Sequence, residues 1–224
     1  NYVGKVALAA VGASTPIINM LIGFFMGIST GAGVVIAQFF GAGNTCKMKR
    51  AIHNSIALTL VMGVVLTIVG LLFNDPILKA IGVPSEVFSE ASTYLSIYFW
   101  SLIFVMVYNM GSGILRSVGD SKRPLYFLIF SSVVNIILDF LFVKYFHFGV
   151  AGAGYATLIA QAISAIMVMY VLMKTEDDYK VILKEIGFDK EILLKIIKIG
   201  LPTGFQQSIV SLSNVIVQSY INVY

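Results

Sequence analysis

Charge is scarce in this sequence. Asp, Glu, Lys and Arg make up 12% of its 224 residues, 15 basic against 11 acidic, while 58% are hydrophobic. An average soluble domain carries roughly twice that charged fraction. With a mean hydropathy of +0.91, a soluble globule is excluded because its surface could not be made polar enough. Intrinsic disorder, which needs low hydrophobicity, is excluded by the same balance. The net charge of +4 comes without a basic stripe to neutralise phosphates, so no nucleic-acid partner is expected. Cysteine is nearly absent: Cys46 alone excludes an intrachain disulfide and a Cys-rich metal site. No glycine-rich loop ends in Gly-Lys-Ser/Thr, which excludes a P-loop. No cofactor is expected.

Long uncharged runs are what the sequence does have. Residues 6–46, 51–74, 91–115, 125–138, 145–173 and 199–224 hold no Asp, Glu, Lys or Arg. A membrane-spanning helix needs ~20 apolar residues, and strand-type spans would instead alternate in ten-residue segments. The expectation is an all-α polytopic bundle in a lipid bilayer, with six spans at about 14–40, 51–73, 90–116, 124–146, 149–174 and 193–222. The first run could hold a hairpin turning at Gly27–Gly33. One long helix is preferred, with Gly23, Gly27 and Gly31 forming a small-residue ridge. Glycine's general frequency in membrane helices explains that ridge equally well.

Loop charge orients the spans. The loop at 41–50 carries Lys47, Lys49 and Arg50 and no acid; that at 116–123 carries Arg116, Lys122 and Arg123 against Asp120; residues 174–198 hold six lysines. The intervening loops are poor in Lys and Arg. Basic loops stay in the cytoplasm, so these three share the inner side, Asn1 lies outside, and His53 and His147 fall on opposite sides. Asp75 and Pro76 read as the start of a short interfacial helix ended by Gly82. Ser121 reads as the cap of the fourth span, with Pro124 in its first turn. Tyr94, Tyr98, Trp100, Tyr145, Phe146 and Phe148 suit an outer aromatic belt. Both ends look cut, so a fragment of a longer protein is expected.

Gly27-Ile28-Ser29-Thr30-Gly31 fits the Gly-x-Ser-x-Gly pattern of hydrolases. That serine needs a strand-to-helix elbow and a histidine base. Here it sits in a membrane helix with neither, so no enzyme is expected. Ser29 and Thr30 are expected to bond their own helix carbonyls or a neighbouring helix.

Ten of the eleven acids lie in loops or at borders. Asp139 does not. A charged Asp at the centre of a span costs roughly 2.5–3.5 kcal/mol. Asn135, four residues earlier, shares its helix face. Counted from Phe146, Asp139 lies ~10 Å in from the outer end, and Thr157 lies ~12 Å in from Gly149 on the next span. Asn135, Asp139 and Thr157 therefore form an oxygen-rich cluster suited to a proton or a hard cation. A protonated, hydrogen-bonded Asp139 gluing helices together is the other reading. Gln206 and Gln207 either line a substrate cavity or pack between helices.

The ordered motifs resemble the multidrug and toxic compound extrusion (MATE) family. They are Leu8-Ala9-Ala10-Val11-Gly12, Ala37-Gln38 with Gly41-Ala42-Gly43, and the stretch from Leu115 to Pro124. Asn135 with Asp139, the stretch from Gly149 to Thr157, and Gly200-Leu201-Pro202 complete the set. The resemblance implies twelve helices in two lobes, of which this chain is half. Residues 1–174 would be the first lobe without its first helix, 175–191 a cytoplasmic linker, and 192–224 the first helix of the second lobe. It also implies antiport at a plasma membrane: H⁺ or Na⁺ binds Asn135, Asp139, Thr157 and an acid on the missing helix, and organic, chiefly cationic, compounds are exported. The rest of the same polypeptide is then an obligatory partner. A lipid-linked oligosaccharide flippase of related architecture and a non-transporting scaffold remain as alternatives. The flippase would favour basic residues inside spans, and Arg116 is only at a border.

In a transporter carrying Cys46 as its sole cysteine, a membrane-impermeant maleimide should label inside-out vesicles and leave intact cells unlabelled. Labelling of intact cells would reverse the assigned orientation.

Overall fold

Without water in the hydrocarbon, backbone N–H and C=O groups must bond within their own segment, which selects helices for such apolar runs. The computed structural model describes residues 4–80 and 83–221, with side chains described at 19, 22–80, 83–210 and 213. The elements, in order, are α1 (Gly4–Gly41), α2 (Thr45–Ala80), α3 (Ser85–Ser117) and α4 (Lys122–Asp139). A π-helical segment, Phe140–Tyr145, follows α4; then come α5 (Gly149–Lys174), a 3₁₀ turn (Leu183–Glu185) and α6 (Lys190–Ile221). Among the described residues α1–α5 are long and apolar enough to cross a membrane. α6, expected as a sixth span, is not among them. It begins with Lys190, Glu191, Lys195 and Lys198, and most side chains of its last eleven residues lie outside those described. The first run is one helix, as preferred, and begins well before residue 14.

Two helix ends show how the chain stops. Gly43 has φ +67 and Gly119 has φ +93. After α1, Asn44 N–H reaches the Phe39 carbonyl and Gly43 N–H that of Phe40. After α3, Asp120 N–H reaches Leu115 and Gly119 N–H reaches Arg116. Both follow the Schellman pattern, which needs a left-handed residue that glycine supplies at least cost. The Asn44 side chain then caps α2 by accepting the Lys47 N–H at 3.0 Å.

The chain divides into two compact units, and the division falls inside α1, α2, α3 and α5. The first comprises residues 1–15, 59–108 and 122–168. Its core includes Leu78, Leu95, Phe99, Leu102 and Met106, with Gly70 under the Phe99 ring. Thr67 donates to the Phe99 carbonyl at 3.1 Å. Asn74 Nδ2 points at Ser92 O, Ser92 Oγ and Ser96 Oγ at 2.9, 3.0 and 2.7 Å. This anchoring corrects the expectation of a new helix at Asp75. Pro76 deprives the Leu72 carbonyl of its usual partner, yet α2 runs through it to Ala80. Asn74 pins one side of the proline to α3 and fully buried Leu78 pins the other. Asp75 is no cap; it accepts a hydrogen bond from Ser92 Oγ. Gly82 lies outside the described residues. The fourth span starts after Ser121 with Pro124 in its first turn, as expected.

The second unit comprises residues 16–58, 109–121 and 169–224. Its core includes Ile36, Met48, Ile52, Met110, Ile114 and Leu172. Here α1 and α6 cross at four glycines, Gly27 with Gly204 and Gly31 with Gly200. A Cβ on Gly31 would stand 2.5 Å from the Gly200 Cα, closer than atoms can pack. Close backbone approach through small residues is how membrane helices gain contact where the hydrophobic effect gives nothing.

Gly31→Leu should therefore destabilise the protein by about 1–3 kcal/mol, the usual cost of overpacking, and lower its melting temperature in detergent. Gly41→Ala, where nothing stands within 4 Å of the new Cβ, serves as the control. Equal melting temperatures for the two variants would remove the crossing from the fold's essentials.

Candidate functional site

α4 is turned inside out relative to a helix in water. Its buried positions are Pro124, Phe127 and Ser131, and half-buried Asn135 and Asp139 continue that stripe at spacings of three or four. The opposite face, with Leu128, Ile129, Val133, Ile136 and Ile137, is exposed. Apolar outside and polar inside is the arrangement hydrocarbon solvent demands. Asp139 closes the regular helix, and the next six residues are π-helical. Single-turn π segments inside α-helices are frequent at functional sites.

Two atoms of the stripe stand out. Asn135 Nδ2 and Asp139 Oδ1 are buried without a hydrogen-bond partner. Leaving a buried polar group unsatisfied costs ~1–3 kcal/mol, more for a charged one. Thr157, the third expected member, is half-buried on α5. Its hydroxyl donates to the Ala153 carbonyl at 3.0 Å, which leaves its lone pairs as acceptors. Among the described residues no hydrogen bond joins it to Asp139. The expected trio is thus present as one pair on α4 and a separate oxygen on α5.

Sequence reasoning missed one neighbour. Tyr94 of α3 lies close enough to Asp139 to interact with its charge, and Tyr98 interacts with Tyr94 in turn. Both were expected in the aromatic belt. Tyr94 is half-buried and Tyr98 is buried, because they follow Ala91 and Leu95 on the packed face of α3, whereas Trp100 is exposed. The discoverable signal was that spacing. The remaining belt residues, Tyr145, Phe146 and Phe148, are exposed, with Phe146 and Phe148 stacked at 5.7 Å.

The second unit has a cavity of about 290 Å³ lined by Met26, Ser29, Thr30, Asn109, Arg116 and Ser117 among others. Ser29 Oγ donates to the Asn109 carbonyl at 3.1 Å, Thr30 to its own helix at Met26 O, and Ser117 to Gly33 O at 2.9 Å. Ser29 thus cross-links α1 to α3, one of the two bonding modes expected of it. Gln206 and Gln207 are exposed on α6 and line neither this cavity nor the one near His53. Among the described residues no group of three His, Cys, Asp or Glu could hold a metal ion.

Known proteins resemble this chain in sequence and fold. "Probable multidrug resistance protein YoeA" of Bacillus subtilis (strain 168) is 34% identical over 230 residues, covering 100% of this chain and 50% of that protein. "Multidrug export protein MepA" of Staphylococcus aureus is 27% identical over 217 residues, covering 97% of this chain and 48% of that protein. A solved multidrug resistance MATE family transporter in its inward-facing conformation superposes with a TM-score of 0.88 at 31% identity, over 94% of this chain and 49% of its own. An outward-facing structure superposes with a TM-score of 0.85, over 92% and 46%. The chain spans about half the length of these relatives. The MatE family model matches residues 1–141. With the family model covering more than half of it, and an α-helical multi-pass architecture shared with solved members, the chain belongs to the MATE family.

Proposed function

We propose that this chain works as part of a cation-coupled antiporter, with Asn135, Asp139 and Thr157 binding H⁺ or Na⁺ and organic, chiefly cationic, compounds leaving across the plasma membrane. The observation that carries the reading is the unpartnered pair, Asp139 Oδ1 and Asn135 Nδ2. Thr67 and Ser29, which bind one helix to another, have their hydroxyls satisfied; of the buried unpartnered side-chain atoms among the described residues, Asp139 Oδ1 is the one carboxyl oxygen. An unsatisfied carboxyl oxygen inside the membrane is instead available to a proton or to a hard cation that takes oxygen ligands. The multidrug names of the relatives support the cargo class.

The coupling follows from charge. With no cation bound, ionised Asp139 favours whichever arrangement gives it water or a counter-charge. Neutralising it removes a penalty of roughly 2.5–3.5 kcal/mol, which shifts a two-state equilibrium about a hundredfold. A ligand moves a conformational equilibrium only by such a difference in affinity. Tyr94 of α3 interacts with the Asp139 charge and therefore feels its neutralisation.

In vesicles holding the complete transporter, Asp139→Asn should reduce gradient-driven efflux of a cationic dye at least tenfold. Asn135→Ala should reduce it less. Imposing the H⁺ or the Na⁺ gradient alone identifies the ion. Unchanged efflux by Asp139→Asn would dismiss the assignment and favour the scaffold role for this residue.

A further inference from the structure

The connection between α5 and α6 is fastened to the first turns of α2, and a buried histidine is the fastener. Lys49 Nζ pairs with Asp178 at 3.0 Å, Arg50 with Asp189 at 3.7 Å, and Asn54 Nδ2 donates to the Asp189 carbonyl at 2.7 Å. Between them His53 is 3% exposed and uses both ring nitrogens. Nε2 accepts the Ile182 N–H at 2.9 Å, and Nδ1 lies 2.7 Å from the Lys49 carbonyl.

These partners fix the protonation state. An acceptor Nε2 carries no proton, and a nitrogen facing a carbonyl must carry one. Only the neutral ring with its proton on Nδ1 satisfies both. Adding a proton to Nε2 turns it toward the Ile182 N–H as a second donor, and that bond cannot survive. A new partner is already in place: Glu185 Oε2 lies 3.9 Å from Nε2 on the same connection and is exposed. Beside the ring, a cavity of about 400 Å³ opens to solvent. Its other ionisable side chains are Cys46, Lys49 and Arg50 from α2 and Glu185 and Asp189 from the connection.

We propose that His53 is a proton-sensing latch: neutral, it holds residues 178–189 against α2 through Ile182; protonated, it releases Ile182 and takes Glu185. The ligand is the proton, delivered from the solvent side of the cavity. Because a proton on Nε2 removes the acceptor, the grip on Ile182 holds at alkaline pH and is lost as pH falls. The flanking ion pairs, Lys49 with Asp178 and Arg50 with Asp189, keep the connection near α2 while the latch opens. The latch does not depend on what Asp139 binds.

Hydrogen exchange on the complete transporter tests it, read on peptides covering Ile182 and corrected for the intrinsic effect of pH. Protection at Ile182 should fall at least tenfold from pH 8 to pH 5.5. In His53→Gln, which cannot titrate, the pH dependence should vanish whatever the level of protection. In Glu185→Gln, which lacks the counter-charge of the protonated state, the midpoint should move to lower pH. No pH dependence in the parent protein, the same dependence in His53→Gln, or an unmoved midpoint in Glu185→Gln would each overturn the proposal.

Discussion

A carboxyl group that is half out of water, with one buried oxygen unbonded, is the constraint around which this protein is arranged. Asp139 sits at the end of α4 with one oxygen buried and unbonded, and Asn135 sits a turn before it in the same condition. Hydrocarbon penalises each unsatisfied polar atom by several kcal/mol. Three other buried side-chain atoms share that condition among the described residues, Asn54 Oδ1, Asn74 Oδ1 and Ser112 Oγ. Thr157 and Thr203 return their hydroxyls to carbonyls of their own helices, and α4 presents its aliphatic face outward. Asp139 Oδ1 is the one carboxyl oxygen among the five, and it coincides with the change from α- to π-helical winding.

Polar groups on these helices fall into two sets. Thr67, Ser29 and Ser117, and Asn74 through its Nδ2, bind one helix to another. Asn135 Nδ2 and Asp139 Oδ1, like Asn54 Oδ1, Asn74 Oδ1 and Ser112 Oγ, are buried without a hydrogen-bond partner. On the proposed function a proton or a sodium ion binds at Asp139 and changes its charge, which is how a small ligand acquires leverage over a large bundle. The glycine crossing of α1 and α6 belongs to a third category, in which contact comes from backbone proximity and side chains contribute nothing.

Much of this is legible in composition. Six uncharged runs give six α-helices among the described residues, and the start of α4 just before Pro124 follows from proline chemistry. The buried polar pair on α4, Asn135 and Asp139, follows from finding one acid away from the borders. Three features are not legible, for distinct physical reasons. Pro76 signals a break because its local cost is visible in sequence, while the contacts of Asn74 and Leu78 that outweigh it are tertiary. Tyr94 and Tyr98 look like interfacial aromatics because composition does not say which way a helix faces; their spacing with Ala91 and Leu95 does. His53 reads as an isolated histidine because its partner, the Ile182 N–H, is a backbone group 129 residues away.

The central claim is that Asp139 carries the exchangeable cation. Infrared difference spectroscopy of the complete transporter tests it directly, comparing spectra at high and low pH and with and without Na⁺. The account predicts a carboxylic-acid carbonyl band that appears on protonation or is displaced by Na⁺, and that is missing in Asp139→Asn. A band that persists in Asp139→Asn, or a parent protein whose carboxyl spectrum responds to neither ion, would contradict it.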